Sequence, residues 1–120
     1  MSIYSNIFII DNTGCSMETK KLFEFAKKEH KRLIEHYNIR EDPKTKYTLF
    51  TKMIEEVGEL SEALTTSDSL QRKDKLKKEV DLAGEIADVL FTTLILAEEL
   101  NIDVEEALEK KMEKIRNRTY

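Results

Sequence analysis

A chain of 120 residues with 3 Gly and 1 Pro, in which 37% of the residues are charged, favours one domain of long helices over a turn-rich β fold. The formal net charge of −4 provides no general attraction to nucleic acid or to anionic membranes, so we expect neither as a partner. The lone Cys15 cannot form an internal disulfide, which makes a cytoplasmic location the simplest interpretation.

Residues 1–16 are predicted to form an N-terminal arm, and residues 17–120 the helical domain. Segment 3–10 is rich in β-branched and aromatic side chains, and a turn signal follows it. We therefore predict a short strand or extended arm, which would pair with another subunit or lie over the helices. The segment is too short for a membrane span and lacks the positive start of a signal peptide.

The spacing of apolar residues predicts four helices, at about 19–37, 47–64, 80–100 and 103–118. The last of these begins at a sequence that resembles a capping box, and Asn101 just before it is a plausible terminator for the third helix. The third helix is apolar on nearly every side, so we predict that it is the central and most buried element. Short loops between the helices predict an all-α four-helix bundle.

Two pairs of carboxylates are the candidate functional residues of this sequence. Glu56 with Glu59, and Glu85 with Asp88, are each three residues apart, so each pair shares one face of its helix. Asp81 lies on the same line of the third helix as the second pair. Because that helix is so apolar, we expect its carboxylates to be partly buried, paired with cations or bound to metal.

Hard oxygen ligands favour Mg²⁺ or Mn²⁺ over Zn²⁺ at such a site. The spacing alone leaves a structural cluster paired with Lys or Arg as an equal alternative. A di-iron site of the ferritin type would need a Glu three residues before a His, and neither His30 nor His36 has one. Both histidines are interpreted as surface residues of the first helix.

The acidic pattern extends into a longer motif: Glu-Glu-x-x-Glu, then 25 residues, then Glu-x-x-Asp. It resembles the signature of the all-α nucleoside triphosphate pyrophosphohydrolases, the MazG-like group with its dCTPase, dimeric dUTPase and phosphoribosyl-ATP pyrophosphatase relatives. Residues 52–63 are similar to the first metal helix of that family, residues 85–91 to the second, and residues 101–118 to the closing segment. The resemblance covers about residues 20–118 and implies a MazG-like four-helix bundle.

The resemblance implies a role for each acidic residue of the motif. The expected ligands of Mg²⁺, or of Mn²⁺ as the alternative, are Glu56, Glu59, Glu85 and Asp88. Glu55 would be a further ligand or the catalytic group that orients the attacking water.

The closing segment would supply the contacts to the substrate phosphates. The residues that resemblance implies for this role are Lys111, Lys114 and Arg118, a local cationic clamp in an acidic protein. Basic residues near a helix C-terminus are also favoured by the helix dipole alone, so that interpretation stays open. Ile115 stands where some dCTPase-like members have an asparagine, which weakens any prediction of that base specificity.

The resulting hypothesis is an Mg²⁺-dependent pyrophosphohydrolase that cleaves a (deoxy)nucleoside triphosphate to the monophosphate and pyrophosphate. One alternative is a phosphoribosyl-ATP pyrophosphatase, and another is a non-catalytic helical module whose acidic face binds a basic partner. The family's relatives imply a homodimer or homotetramer, in keeping with apolar surface left on the flanks of the third helix.

Overall fold

The structure, a computed structural model, describes residues 16–67 and 80–120 of the chain. The N-terminal arm predicted at residues 1–16 lies outside these ranges except for its last residue, and so does the strand predicted within it. Four helices form in chain order: α1, Thr19–His36; α2, Thr45–Ser67; α3, Leu82–Glu99; and α4, Val104–Arg116. The described ranges contain no strand, so the predicted all-α fold of four helices is confirmed.

The core forms where α3 packs against α2 and α1. Five apolar residues on these three helices are buried: Ala26, Ile34, Leu49, Ala63 and Ile95. The rings of Phe25 on α1 and Phe91 on α3 meet edge to face with their centroids 5.1 Å apart, a favoured aromatic geometry. In the part of the chain that the structure describes, no helix is long and apolar enough to span a bilayer.

Helix α3 is the central helix, as predicted, and it has the smallest share of exposed residues among the four helices. Even so, only its residue Ile95 is classed as buried, and Ile86 and Leu90 are 51% and 59% exposed. The reason is that α1 and α2 cover one side of α3, and α4 does not close the other side. An apolar strip of α3 is therefore left on the surface.

Helix α2 divides its apolar residues in the same way. Leu49 and Ala63 face the core, whereas Ile54 and Val57 are 48% and 43% exposed. The helix also continues to Ser67, beyond the predicted end at residue 64.

Two helices end on an asparagine with left-handed backbone: Asn38 after α1 with φ 50°, and Asn101 after α3 with φ 54°. At the end of α3, the amide of Asn101 donates to the carbonyl of Glu98 at 3.2 Å, and the amide of Ile102 donates to the carbonyl of Ala97 at 2.9 Å. This pair of hydrogen bonds is the Schellman motif, in which asparagine tolerates the positive φ. The prediction that Asn101 terminates the third helix is confirmed.

Two aspartates cap helix starts. Asp103 accepts a hydrogen bond from the amide of Glu106 at 3.0 Å, as the sequence predicted. Asp81 does the same for the amide of Gly84 at 2.9 Å, so it lies before α3 rather than on the helical line that we assigned to it. A Cβ at Gly84 would collide with the Asp81 carboxylate, which ties this glycine to the cap.

Helix α4 lacks the packing of the other three. All of its residues are exposed except Val104, which is half-buried, and it packs along none of the other described helices. Its apolar residues Leu108, Met112 and Ile115 are each about half exposed, at 50%, 52% and 48%. The spacing is amphipathic, but the apolar face has no cover within the described chain.

Candidate metal centre

Three carboxylates converge where α2 packs on α3. Glu56, Glu59 and Glu85 each place one oxygen so that the three atoms lie within 4.8 Å of one another. Glu56 and Glu59 are one turn apart on α2, and Glu85 lies in the first turn of α3. One oxygen of Glu85, Oε2, is buried. Helix packing thus joins the two acidic pairs that the sequence singled out.

The electrostatics of this cluster favour a bound cation. The pKa of Glu56 is raised, first by partial burial and then by the charges of Glu59 and Asp88, while Lys52 acts in the opposite direction. Proximity of like charges is costly, and a divalent cation with hard oxygen ligands removes that cost. The donor set therefore fits Mg²⁺ or Mn²⁺.

Asp88 differs from its three expected partners. It is exposed, contrary to the partial burial expected for it, and it lies outside the group of three oxygens. The side of α3 that carries Asp88 is left open in the single chain. Its charge still reaches the cluster, since it contributes to the raised pKa of Glu56.

Glu55 points along α2 to a lysine of its own helix. Its Oε2 lies 2.9 Å from Nζ of Lys52, three residues earlier, and about half of each side chain is exposed. This hydrogen bond and the charge of Glu55 raise the pKa of Lys52. Lys52 also contributes to the electrostatics of Glu56, so it links Glu55 to the three-carboxylate cluster.

The residues expected to bind phosphate lie on α4 and just after it. Lys111, Lys114 and Arg118 are exposed, and the two lysines line a groove of about 470 Å³ on α4. Because α4 does not pack on α2 or α3, no helix contact brings these cations to the carboxylates. The structure therefore unites the acidic part of the expected site and leaves the basic part on a separate helix.

Two features outside the carboxylate cluster escaped sequence reasoning. Nε2 of His30 on α1 lies 2.6 Å from Oε2 of Glu99 on α3, and both side chains are partly buried, at 20% and 25% exposed. His30 is therefore a partner in helix packing and not an ordinary surface residue. The pair is 69 positions apart, so no local signal in the sequence indicates it.

The second feature is an apolar cavity of about 160 Å³ between α1, α2 and α3. Its lining includes Lys52 and Thr92, which place it beside the carboxylates, and the half-exposed Tyr37. The remaining lining residues are Leu33, Ile39, Thr48, Leu49 and Ile95.

Known proteins resemble this chain over most of its helical part. Residues 44–120 match the family model of the MazG nucleotide pyrophosphohydrolase domain. A phosphoribosyl-ATP pyrophosphatase of Clostridium acetobutylicum is 38% identical over 92 residues, which are 68% of this chain and 82% of that protein. No solved structure matches the chain. The matched range includes α2, α3 and α4, and with them every residue of the expected site.

Proposed function

Because the chain belongs to the MazG nucleotide pyrophosphohydrolase family, we propose that it hydrolyses a (deoxy)nucleoside triphosphate between the α- and β-phosphates. The products are the nucleoside monophosphate and pyrophosphate. The observation that supports this assignment is the convergence of Glu56, Glu59 and Glu85 within 4.8 Å at the α2–α3 contact. That family makes the protein a hydrolase of phosphoanhydride bonds, and the triphosphate substrate is the finer part of the proposal.

We assign the metal, Mg²⁺ with Mn²⁺ as the alternative, to the four-carboxylate set of Glu56, Glu59, Glu85 and Asp88. When bound, the cation would polarise the phosphoryl oxygens and lower the pKa of the attacking water. Three of the assigned ligands lie together, and we assign Asp88, one turn of α3 after Glu85, as the fourth.

Glu55 is the residue that we assign to the attacking water. Its Oε2 accepts a hydrogen bond from Lys52 at 2.9 Å, so the other oxygen of this half-exposed carboxylate would be available to accept a proton. No protein nucleophile is needed for this reaction, since water attacks directly. Lys52 positions Glu55 and contributes positive charge at the edge of the site.

The apolar cavity beside Lys52 and Thr92 is the place that we assign to the base or the sugar. A wall of apolar side chains excludes water from a bound base, and Tyr37 presents a half-exposed ring for stacking. This assignment leaves the identity of the base open.

A second candidate is hydrolysis of phosphoribosyl-ATP, and a specific observation favours it. The relative that is 38% identical is a phosphoribosyl-ATP pyrophosphatase, and it matches over 82% of its own length. Both candidate reactions release pyrophosphate from an α–β phosphoanhydride, so the same carboxylates would serve either one.

We propose that the protein is a homodimer or homotetramer, on the grounds of two exposed apolar seams. On α2 the seam consists of Phe50, Ile54, Val57 and Leu64, and on α3 of Ile86 and Leu90; each of these is at least 43% exposed. Spacings of four and three residues are typical of helices that pack in a bundle. The lone Cys15 keeps the cytoplasm as the proposed location.

The experiment is a measurement of pyrophosphate release with Mg²⁺ over a panel of substrates. The panel contains the canonical ribo- and deoxynucleoside triphosphates, damaged triphosphates and phosphoribosyl-ATP. Turnover of one or more triphosphates supports the leading proposal, and turnover of phosphoribosyl-ATP alone supports the second. Absence of pyrophosphate release with every substrate would leave the acidic helical binding module as the function.

A further inference from the structure

Lys52 lies between the two parts of the proposed site. On α2 it is four residues after Thr48 and four before Glu56, so the three side chains share one face of the helix. Thr48 lines the apolar cavity, and Glu56 belongs to the carboxylate cluster. Lys52 lines the cavity as well, and its positive charge reaches Glu56. A cation therefore occupies the border between the cavity and the cluster.

The cavity offers a bound anion one cationic partner. Among the residues that the structure describes, Lys52 is the only charged one in the lining of this cavity. The hydroxyl of Thr92 donates to the carbonyl of Asp88 at 2.8 Å. The hydroxyl of Thr48 likewise donates to a carbonyl of its own helix, at 3.5 Å. Because these hydroxyl hydrogens are already used, an anionic group at the border of the cavity finds its donor in Lys52.

The ammonium group of Lys52 can take a second acceptor. It carries three N–H donors, and its hydrogen-bond partner among the described residues is Oε2 of Glu55 at 2.9 Å. The Lys52 side chain is 47% exposed, which leaves it open to an incoming ligand. An exposed ion pair of this kind is weak and adapts to a third group at little cost. Lys52 can therefore hold Glu55 and an anion at the same time.

The order of groups in a nucleotide matches this arrangement. The base is followed by the sugar, then by the α-phosphate, and then by the remaining phosphates. With the base in the apolar cavity and the α–β anhydride at the carboxylates, the α-phosphate comes to the border where Lys52 lies. Along α2, Lys52 precedes Glu56 by about 6 Å at 1.5 Å per residue, so the two parts of the site are about one helical turn apart.

We propose that Lys52 binds the α-phosphate of the substrate, the phosphate that stays with the nucleoside after hydrolysis, and holds Glu55 beside it. The inference rests on the proposed function and deepens it, because it assigns Lys52 to the monophosphate half of the substrate and not to the pyrophosphate half. A hydrogen bond between an ammonium group and a phosphate oxygen is charge-assisted and therefore strong. Lys52 recognises nucleotides as a class, whichever base the cavity accepts.

The affinities of the two products test this assignment. Titration calorimetry with Mg²⁺ measures the Kd of the canonical ribo- and deoxynucleoside 5′-monophosphates and, separately, of inorganic pyrophosphate. Lys52→Met keeps the apolar stem and removes the charge. The Kd of the monophosphate that binds best is expected to rise ~10-fold or more, the loss typical of a charge-assisted hydrogen bond. The Kd of pyrophosphate is expected to stay unchanged.

Two results would overturn the assignment of Lys52 to the α-phosphate. One is a monophosphate Kd that Lys52→Met leaves unchanged, or a wild-type protein that binds none of the monophosphates. The other is an equal rise in the Kd of pyrophosphate, which would reduce the effect to net charge. Lys52→Arg keeps the charge and is expected to retain the affinity for the monophosphate, so a loss equal to that of Lys52→Met would also contradict the assignment.

The matched control for charge is Lys46→Met on the same helix. Lys46 is exposed, its Nζ lies 5.3 Å from the centre of the Tyr47 ring, and it does not line the cavity. This variant is expected to leave both Kd values unchanged, and a loss of monophosphate affinity equal to that of Lys52→Met would contradict a specific contact.

A second control, Glu55→Gln, removes the charged partner of Lys52 and keeps the cation. The monophosphate Kd is not expected to rise in this variant. A rise equal to that of Lys52→Met would mean that Lys52 acts only by positioning Glu55, which overturns the phosphate contact.

Turnover reports on the proposed function separately. A wild-type protein that binds a monophosphate through Lys52 but releases no pyrophosphate from any substrate would refute the hydrolysis and leave the phosphate contact standing. Pyrophosphate release together with a monophosphate Kd that is insensitive to Lys52→Met would refute the contact and leave the hydrolysis standing.

Discussion

The α2–α3 contact and helix α4 both carry charged side chains, but they lie in opposite structural situations. Helices α2 and α3 pack on each other and bring carboxylates of equal sign together. Helix α4 is exposed, and most of its ions are paired within the helix or directed to solvent. Carboxylates that packing holds close together interact strongly, whereas solvation and local ion pairs weaken the interactions of charges on an exposed helix. Packing therefore determines which charged residues can form a binding site.

The largest expected effect comes from removing one carboxylate at the α2–α3 contact. Glu56→Gln or Asp88→Asn is expected to lower Mg²⁺-dependent turnover by more than ~100-fold, because the cation loses a ligand that must be ionised. Steady-state pyrophosphate release measures the effect, and circular dichroism should show unchanged helix content. Glu24→Gln on the exposed face of α1 serves as the control, and full activity in either site variant would remove the metal assignment.

The second test addresses the exposed seams. Ile54→Asp and Leu90→Asp each place a charge on the surface where we expect a second copy to pack, and each is expected to raise the dimer Kd at least ~100-fold, since a buried unpaired charge is costly. Light scattering over a concentration series measures this. Tyr47→Asp, at a side chain that is 63% exposed, is the matched control and should leave the assembly intact.

A wild-type protein that is monomeric at micromolar concentration would contradict the seams as interfaces. If Tyr47→Asp raised the dimer Kd as much as Ile54→Asp and Leu90→Asp, the effect would not be specific to the two seams.

The pH dependence of Mg²⁺ affinity tests the electrostatics of the carboxylate cluster at the α2–α3 contact. Because the pKa of Glu56 is raised above its ordinary value of 4.5, protons compete with the cation at a higher pH than at an isolated glutamate. Affinity for Mg²⁺ is expected to fall as the pH drops through that raised pKa, by about tenfold per pH unit for one displaced proton. Titration calorimetry at a series of pH values checks this, and a pH-independent affinity would contradict it.

The folding stability of the metal-free protein should change with pH in the opposite direction to the Mg²⁺ affinity. A carboxyl with a raised folded-state pKa binds its proton more readily when folded, so stability rises as the pH falls from above that pKa toward 4.5. Urea unfolding of the metal-free protein measures this gain, and Glu56→Gln should abolish its part of it.

The smallest expected effect concerns the hydrogen bond between His30 on α1 and Glu99 on α3. His30→Ala removes the hydrogen bond to Glu99 and leaves that carboxylate partly buried without it, which should cost about 1–2 kcal/mol in the free energy of unfolding. Arg32→Ala is the control, because Arg32 is 78% exposed in its pair with Glu29 and should cost less than ~0.5 kcal/mol. Equal losses in the two variants would mean that the His30–Glu99 contact contributes nothing beyond a surface pair.

Local features were predictable from the sequence. Helix periodicity, the Asp103 cap and the Asn101 terminator depend on residues within one or two turns of each other, and the structure has all three. The convergence of Glu56 with Glu85 was also predictable, because antiparallel neighbours joined by one loop bring matching faces together.

Features that depend on how helices cross were not predictable. His30 meets Glu99 only through the packing of α1 on α3, and no pattern within either helix indicates the partner. The exposure of Leu90 depends on which helices cover α3, a property of the assembled chain that periodicity does not contain. Asp81 was misassigned because the step of four residues to Glu85 fits a helical face as well as it fits a cap.

Because α4 follows the Schellman turn at Asn101 and packs along no other described helix, a small rotation at that turn moves the far end of α4 by several ångströms. The helix has 13 residues and is therefore about 20 Å long, so a rotation of 10° at the turn displaces its far end by roughly 3 Å. A misplacement of about 1 Å can cost ~100-fold in the rate of an enzyme. Asn101 lies outside the carboxylate cluster, and yet it sets the angular tolerance for Lys111 and Lys114, the residues expected to contact the substrate phosphates.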